Sequence, residues 1–122
     1  MNIERFRSHL PAPLSSAVRS GDFIFMSGVV ALDSAGKVID GDIRVQTRAV
    51  LETIRRSLCE LGLEVSRVVR ATVWLADLAE LPAFNEEYAT FFCDSLPARS
   101  CVQATLYGGA RVEIEVQALA EC

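Results

Sequence analysis

The sequence predicts an α+β domain of two layers, one mixed β-sheet covered on one side by two helices, in the order β-β-(β)-α-β-α-β-β. Three observations carry this. Apolar residues recur at helical spacing in two stretches, 43–61 and 81–92. Alternating, β-branched stretches lie before the first helix, between the helices and after the second. The length of 122 residues suits a single domain over 1–122, and no linker, low-complexity segment or fixed-period repeat divides it. Two amphipathic helices need one sheet face to cover, which leaves the other face open.

In chain order, residues 1–13 read as irregular, because Pro11 and Pro13 each restrict the residue before them to extended backbone. Ser16 to Arg19 reads as a short strand, Gly21-Asp22 as a turn, and Phe23 to Ser27 as an apolar strand closed by Gly28. Val29 to Leu32 stays extended, Ser34-Ala35-Gly36 turns, and Lys37 to Ile39 pairs back. The first helix places Ile43, Thr47, Val50, Leu51, Ile54, Leu58 and Leu61 on one face, with Asp42 as N-cap and Gly62 just past its end. On its outer face Glu52 and Arg56 stand i,i+4, where an ion pair contributes only about 0.3 kcal/mol.

Val65 to Ala76 reads as a central strand, with Val69, Ala71, Val73 and Leu75 opposite Val68, Arg70, Thr72 and Trp74. Leu81 to Phe92 reads as the second helix, with Pro82 in its first turn and Leu81, Phe84, Tyr88, Phe91 and Phe92 as its apolar stripe. Pro97 to Gln117 then reads as two strands joined by a tight Gly108-Gly109 hairpin turn. Paired in that way, Arg99, Cys101 and Glu113 share one sheet face with Arg70, Thr72, Glu115, Trp74 and Val68. A face that mixes large apolar with charged groups predicts association through it.

Composition narrows the function. Half of the residues are apolar (51 %) and the net charge is −4, which favours neither nucleic acid nor an anionic membrane as partner. No apolar run approaches the ~20 residues of a membrane span. The opening MNIERFRSHLPAP carries charges in place of the apolar core of a secretory signal, so the expected location is cytoplasmic. The cysteines, Cys59, Cys93, Cys101 and Cys122, form no C-x-x-C pair, and His9 is the one histidine, so the spacing suggests no metal site, redox dithiol or histidine triad. Cys59, Cys93 and Cys122 read as structural or incidental, and His9 as a surface residue.

Five segments together resemble the RidA/YjgF family of enamine/imine deaminases. They are Ser27-Gly28, the Q-T-R at Gln46 to Arg48, the N-x-x-Y-x-x-F-F from Asn85 to Phe92, the P-A-R-S-C at Pro97 to Cys101, and the V-E-I-E at Val112 to Glu115. The resemblance covers about Pro11 to Ala120, in the family's order and at similar spacing. It implies a chorismate-mutase-like fold, a homotrimer with clefts between subunits, and hydrolysis of 2-enamines and 2-imines, such as 2-aminoacrylate, to 2-keto acids and ammonia, with no cofactor. It implies that Arg99 grips the substrate carboxylate, which a guanidinium fork does with two parallel charge-assisted bonds. Cys101 would place the substrate through its backbone carbonyl, Glu113 would orient the attacking water, and Ser27, Gly28 and Asn85 would line the cleft. Two positions depart from the pattern: Leu14 stands where relatives often have tyrosine, and Val29 where glutamine is common. Both make the cleft more apolar.

Without the resemblance the same residues have simpler readings. Arg99 is a solvated strand arginine, Glu113 and Glu115 are surface carboxylates, Asn85 is an exposed helix residue, and Cys101 is a small buried hydrophobe. With it, a carboxylate-bearing small molecule is the expected partner. The alternatives are a pathway-specific deaminase of the 2-aminomuconate type and a non-catalytic trimeric ligand-binding or interaction protein.

Overall fold

The strand Val68–Leu75 (β4) carries hydrogen-bonded neighbours on both edges. The computed structural model describes residues 2–121. Around β4 stand Ile3–Arg7 (β1), Ser15–Ser20 (β2), Phe23–Met26 (β3), Ala98–Gln103 (β5) and Val112–Leu119 (β6). They form one six-stranded sheet in the order β1-β2-β3-β6-β4-β5, antiparallel except for β4 against β5. Two helices, Ile43–Glu60 (α1) and Leu81–Phe92 (α2), cover one face. This is the chorismate-mutase-like α+β fold that the sequence predicts.

The helix ends follow their caps. Asp42 accepts from Val45 N at 3.0 Å at the start of α1. At its end Gly62 takes φ +76°, and Leu63 N donates to Leu58 O at 2.9 Å. The inner face buries Val50, Leu51, Ile54 and Leu58 against Val73, Leu75, Ile114 and Val116 of the sheet. Outside, Arg44 and Arg48 of α1 bind Glu86 and Glu87 of α2, which ties the helices together. Glu52 pairs with Arg55 one turn along, at i,i+3, and not with Arg56. Buried Gln46 joins two loops, donating to Ile39 O at 3.1 Å and accepting from Arg111 N at 2.9 Å.

Three expectations are corrected. Residues Ile3–Arg7, read as irregular, form edge strand β1 against β2, and Pro11 and Pro13 lie in the connection between them. Their charges hide the alternation, and an edge strand tolerates charges well. Val68 and Val69 exchange faces, Val68 buried and Val69 exposed, because the β4–β6 register shifts between Val68 and Arg70.

The third correction concerns Pro97 to Gln117. Its two strands do not form a hairpin, because β4 lies between β5 and β6. Helix α2 carries the chain from β4 over to β5 as a parallel crossover, which places β5 on the outer edge of β4. Residues 104–111 then pass the end of β4, held by Ala104 N to Leu75 O and Ala76 N to Arg111 O, both 3.0 Å. Gly108 and Gly109 do take positive φ, +61° and +74°, but within a 3₁₀ turn at Tyr107–Gly109.

Candidate active site

The register of β4 with its two neighbours sorts the candidate residues. Arg99 and Cys101 pair with Ala71 and Val73, fully buried beneath the helices, whereas Glu113 pairs with Trp74 on the open face. Arg99 and Cys101 therefore belong to the helix-covered side and Glu113 to the open side, which corrects the expectation of one shared face. Within one chain the candidates form two groups.

The first group sits at the outer edge of the sheet. Arg99 Nη1 donates to Asn85 Oδ1 of α2 at 2.9 Å. Its guanidinium carbon lies 4.9 Å from the ring centre of Tyr88 and 5.6 Å from that of Phe84. The side chains at 84, 85 and 88 all reach Arg99 because 84 and 88 stand i,i+4 and 85 and 88 stand i,i+3 on α2. Among the described residues Arg99 has no carboxylate partner. Arg19, Arg44, Arg48, Arg55 and Arg111 each have at least one, whereas Arg5, Arg7, Arg56, Arg67 and Arg70 share the lack of an ion pair among the described residues. Cys101 is half-buried and packs against the core. Burial pushes its thiol up, and the lowering effect of Arg99 is the smaller of the two, which disfavours the thiolate form.

The second group lies on the open face. Ser27 is fixed to β2, its Oγ donating to Ser15 O at 2.6 Å and its N donating to Ser16 O at 3.0 Å. Leu14, 42 % exposed, immediately precedes Ser15. Val29 and Ile114 exchange backbone bonds of 2.9 and 3.1 Å, which brings Gly28 beside Glu113. A Cβ on Gly28 would stand 2.2 Å from Glu113 Oε2, so glycine here lets the Glu113 carboxylate lie against the backbone. Burial first, and Glu115 second, hold the Glu113 carboxyl above the usual carboxylate range. A shallow hollow of about 280 Å³ opens next to Ser27, lined also by Ser15, Phe25, Glu115 and Gln117. Exposed Phe23 and Phe25 border this face, as the mixed composition predicts.

Gly28→Ala is expected to displace the Glu113 carboxylate, since the obstructed atoms belong to a side chain that can rotate away. Melting temperature should change little while activity falls. A large loss of melting temperature with intact activity would contradict this. Among the described residues no group of three or more His, Cys, Asp or Glu side chains is placed to hold a metal ion. Cys122 lies outside the described residues. Sequence reasoning missed the part of Phe84 and Tyr88 at the site: their stripe marks core, and only the crossover shows that Arg99 lies over their rings.

The family model described as endoribonuclease L-PSP matches residues 7–122. The chain belongs to this family, known also as YjgF/RidA. Among YjgF/RidA relatives, a mouse 2-iminobutanoate/2-iminopropanoate deaminase is 39 % identical over 109 residues, covering 88 % of this chain and 81 % of that protein. The 3-aminoacrylate deaminase RutC of Acinetobacter baylyi is 38 % identical over 96 residues, covering 78 % of this chain and 76 % of its own. A YjgF-family crystal structure from Neisseria meningitidis superposes with TM-score 0.85 at 30 % identity, covering 100 % of this chain and 98 % of that one.

Proposed function

We propose that this YjgF/RidA protein hydrolyses reactive 2-imino acids, and their enamine tautomers, to 2-keto acids and ammonia. The observation that carries the reading is Arg99: a half-buried guanidinium at an open sheet edge, held by an amide and two rings, and among the described residues without a carboxylate of its own. Such a cation is ready for an incoming carboxylate. Two relatives at 38–39 % identity are named as deaminases of small imino or amino acids, which supports the same class here.

The chemistry needs few groups. Water adds to the imine carbon, a proton moves to nitrogen, and the C–N bond breaks to release ammonia and leave the keto acid. Glu113, whose carboxyl is raised by burial and by Glu115, is suited to orient that water and carry the proton. Ser27 and Gly28 wall the space beside it, Cys101 offers its backbone carbonyl, and Leu14 adds an apolar surface. Because Arg99 and Glu113 belong to opposite sides of one sheet, a complete site takes Arg99 and Glu113 from neighbouring chains. The exposed apolar residues of the open face would be covered in a homotrimer with such inter-subunit clefts.

An endoribonuclease, the activity in the family's description, needs a basic surface for phosphates. The net charge of −4, with Arg44, Arg48, Arg55 and Arg111 neutralised by carboxylates, argues against it. The test is a coupled assay in which an amino-acid oxidase generates 2-imino acids and semicarbazide traps them. The protein is expected to suppress the semicarbazone signal. No suppression across small, aliphatic and aromatic imines would overturn general imine clearance and favour a dedicated unsaturated amino acid or a binding role.

A further inference from the structure

A guanidinium offers five N–H donors, and a carboxylate uses two of them side by side. Arg99 spends one on Asn85, through Nη1, and among the described residues makes no other hydrogen bond. That leaves the Nε–Nη2 edge, one of the paired edges that fit a carboxylate, without a competitor. A hydrogen bond at Nη1 alone would not hold the plane, because the long side chain could still swing about it. The plane is held by the rings of Tyr88, at 4.9 Å, and Phe84, at 5.6 Å.

The rings are themselves fixed. Phe84 is 0 % and Tyr88 4 % exposed, and Tyr88 packs against Phe84 and Phe92 at centroid distances of 5.4 and 4.7 Å. The Tyr88 hydroxyl is buried without a hydrogen-bond partner among the described residues. A buried phenol with no partner makes the fold less stable than a phenyl ring would. The hydroxyl therefore contributes nothing to holding the ring, and the ring face is what remains to explain the residue beside Arg99.

We propose that Tyr88 is a positioning residue for the carboxylate clamp: its ring, seconded by Phe84, keeps the Arg99 guanidinium flat while Asn85 fixes its rotation, so that the Nε–Nη2 edge is presented already ordered to a 2-imino acid. This rests on the deaminase reading above. An ordered clamp acts mainly in binding the carboxylate, because the freedom of a long arginine side chain is lost before the substrate arrives. The hydroxyl is dispensable and the π-face is not.

The experiment uses the full chain with three replacements at position 88: Tyr88→Leu, Tyr88→Phe and pentafluorophenylalanine, which keeps the ring shape but reverses its quadrupole. Two quantities are read: the ¹⁵N order parameter of the Arg99 Nε–H without substrate, and the split between KM and kcat with substrate. Tyr88→Leu and the fluorinated ring are expected to drop the order parameter below ~0.6, the flexible range, and to raise KM about tenfold with kcat much less affected. Tyr88→Phe is expected to keep both near wild type. An unchanged order parameter, or an unchanged KM, with the fluorinated ring would overturn the proposal, and that ring also serves should Tyr88→Leu not fold. Wild type that hydrolyses no imine would overturn the deaminase reading. The order parameters, together with a pyruvate titration of the Arg99 Nε–H signal, would still decide whether Tyr88 prepares Arg99 for a carboxylate.

Discussion

Replacing Arg99 by alanine is expected to lower kcat/KM for 2-imino acids by about two to four powers of ten. The change removes two charge-assisted hydrogen bonds to the substrate carboxylate, each contributing about 1.5–3 kcal/mol. The fold should survive. Arg99 sits on edge strand β5, its one side-chain hydrogen bond among the described residues goes to exposed Asn85, and the rings below it are held by their own packing. The expected stability loss is about 1 kcal/mol, that of a cation–π contact. Steady-state kinetics beside thermal unfolding decides the matter. A variant that unfolds would make Arg99 structural, and one that keeps full activity would remove the carboxylate clamp.

Glu113→Gln is expected to lower kcat by about two to four powers of ten, the range for loss of a general acid or base. It should also stabilise the protein at neutral pH. Burial and Glu115 raise the folded-state pKa of Glu113, so the folded chain holds this proton more tightly than the unfolded chain does. The stability that the group contributes is fully present below the unfolded value, near 4.5, and is lost as pH rises through the raised folded value. At pH 7 the ionised carboxylate opposes folding, and glutamine relieves it. The gain over wild type should vanish at pH below about 4. For the same reason the acid limb of kcat/KM in wild type should lie above the ordinary carboxyl value and be missing in the variant. A variant less stable than wild type at pH 7, or one with the acid limb unmoved, would take the proton-carrying role from Glu113.

The two variants also test where the site is completed. Mixed after co-refolding in equal amounts, Arg99→Ala and Glu113→Gln chains should regain about a quarter of wild-type activity if each site in a cyclic assembly takes one group from each of two neighbours. No recovery would mean that both groups serve from one chain, against the opposite faces on which β5 and β6 present them.

The local elements were legible in the sequence because their signals are local. Asp42 and Gly62 bound α1, Pro82 opens α2, and the period-2 run around Val73 marks the central strand. The candidate site residues were named from the P-A-R-S-C and V-E-I-E segments and their order along the chain. Strand pairing was not legible. Alternation says that a strand has two faces but not which strand lies beside it, and the Gly108-Gly109 pair is as good for a 3₁₀ turn as for a hairpin. The strand order followed from the crossover through α2, a long-range matter of which edge of β4 remains free. That one choice decided the geometry of the candidate site. It placed Arg99 over the rings of Phe84 and Tyr88 beneath the helix layer and left Glu113 beside Gly28 on the open face. The sequence by itself determined which side chains are the candidates for the chemistry. Only the tertiary structure decided that one sheet holds them apart, because the face of a strand residue depends on the register with its neighbours, and register is set by packing and not by the residue's own propensity.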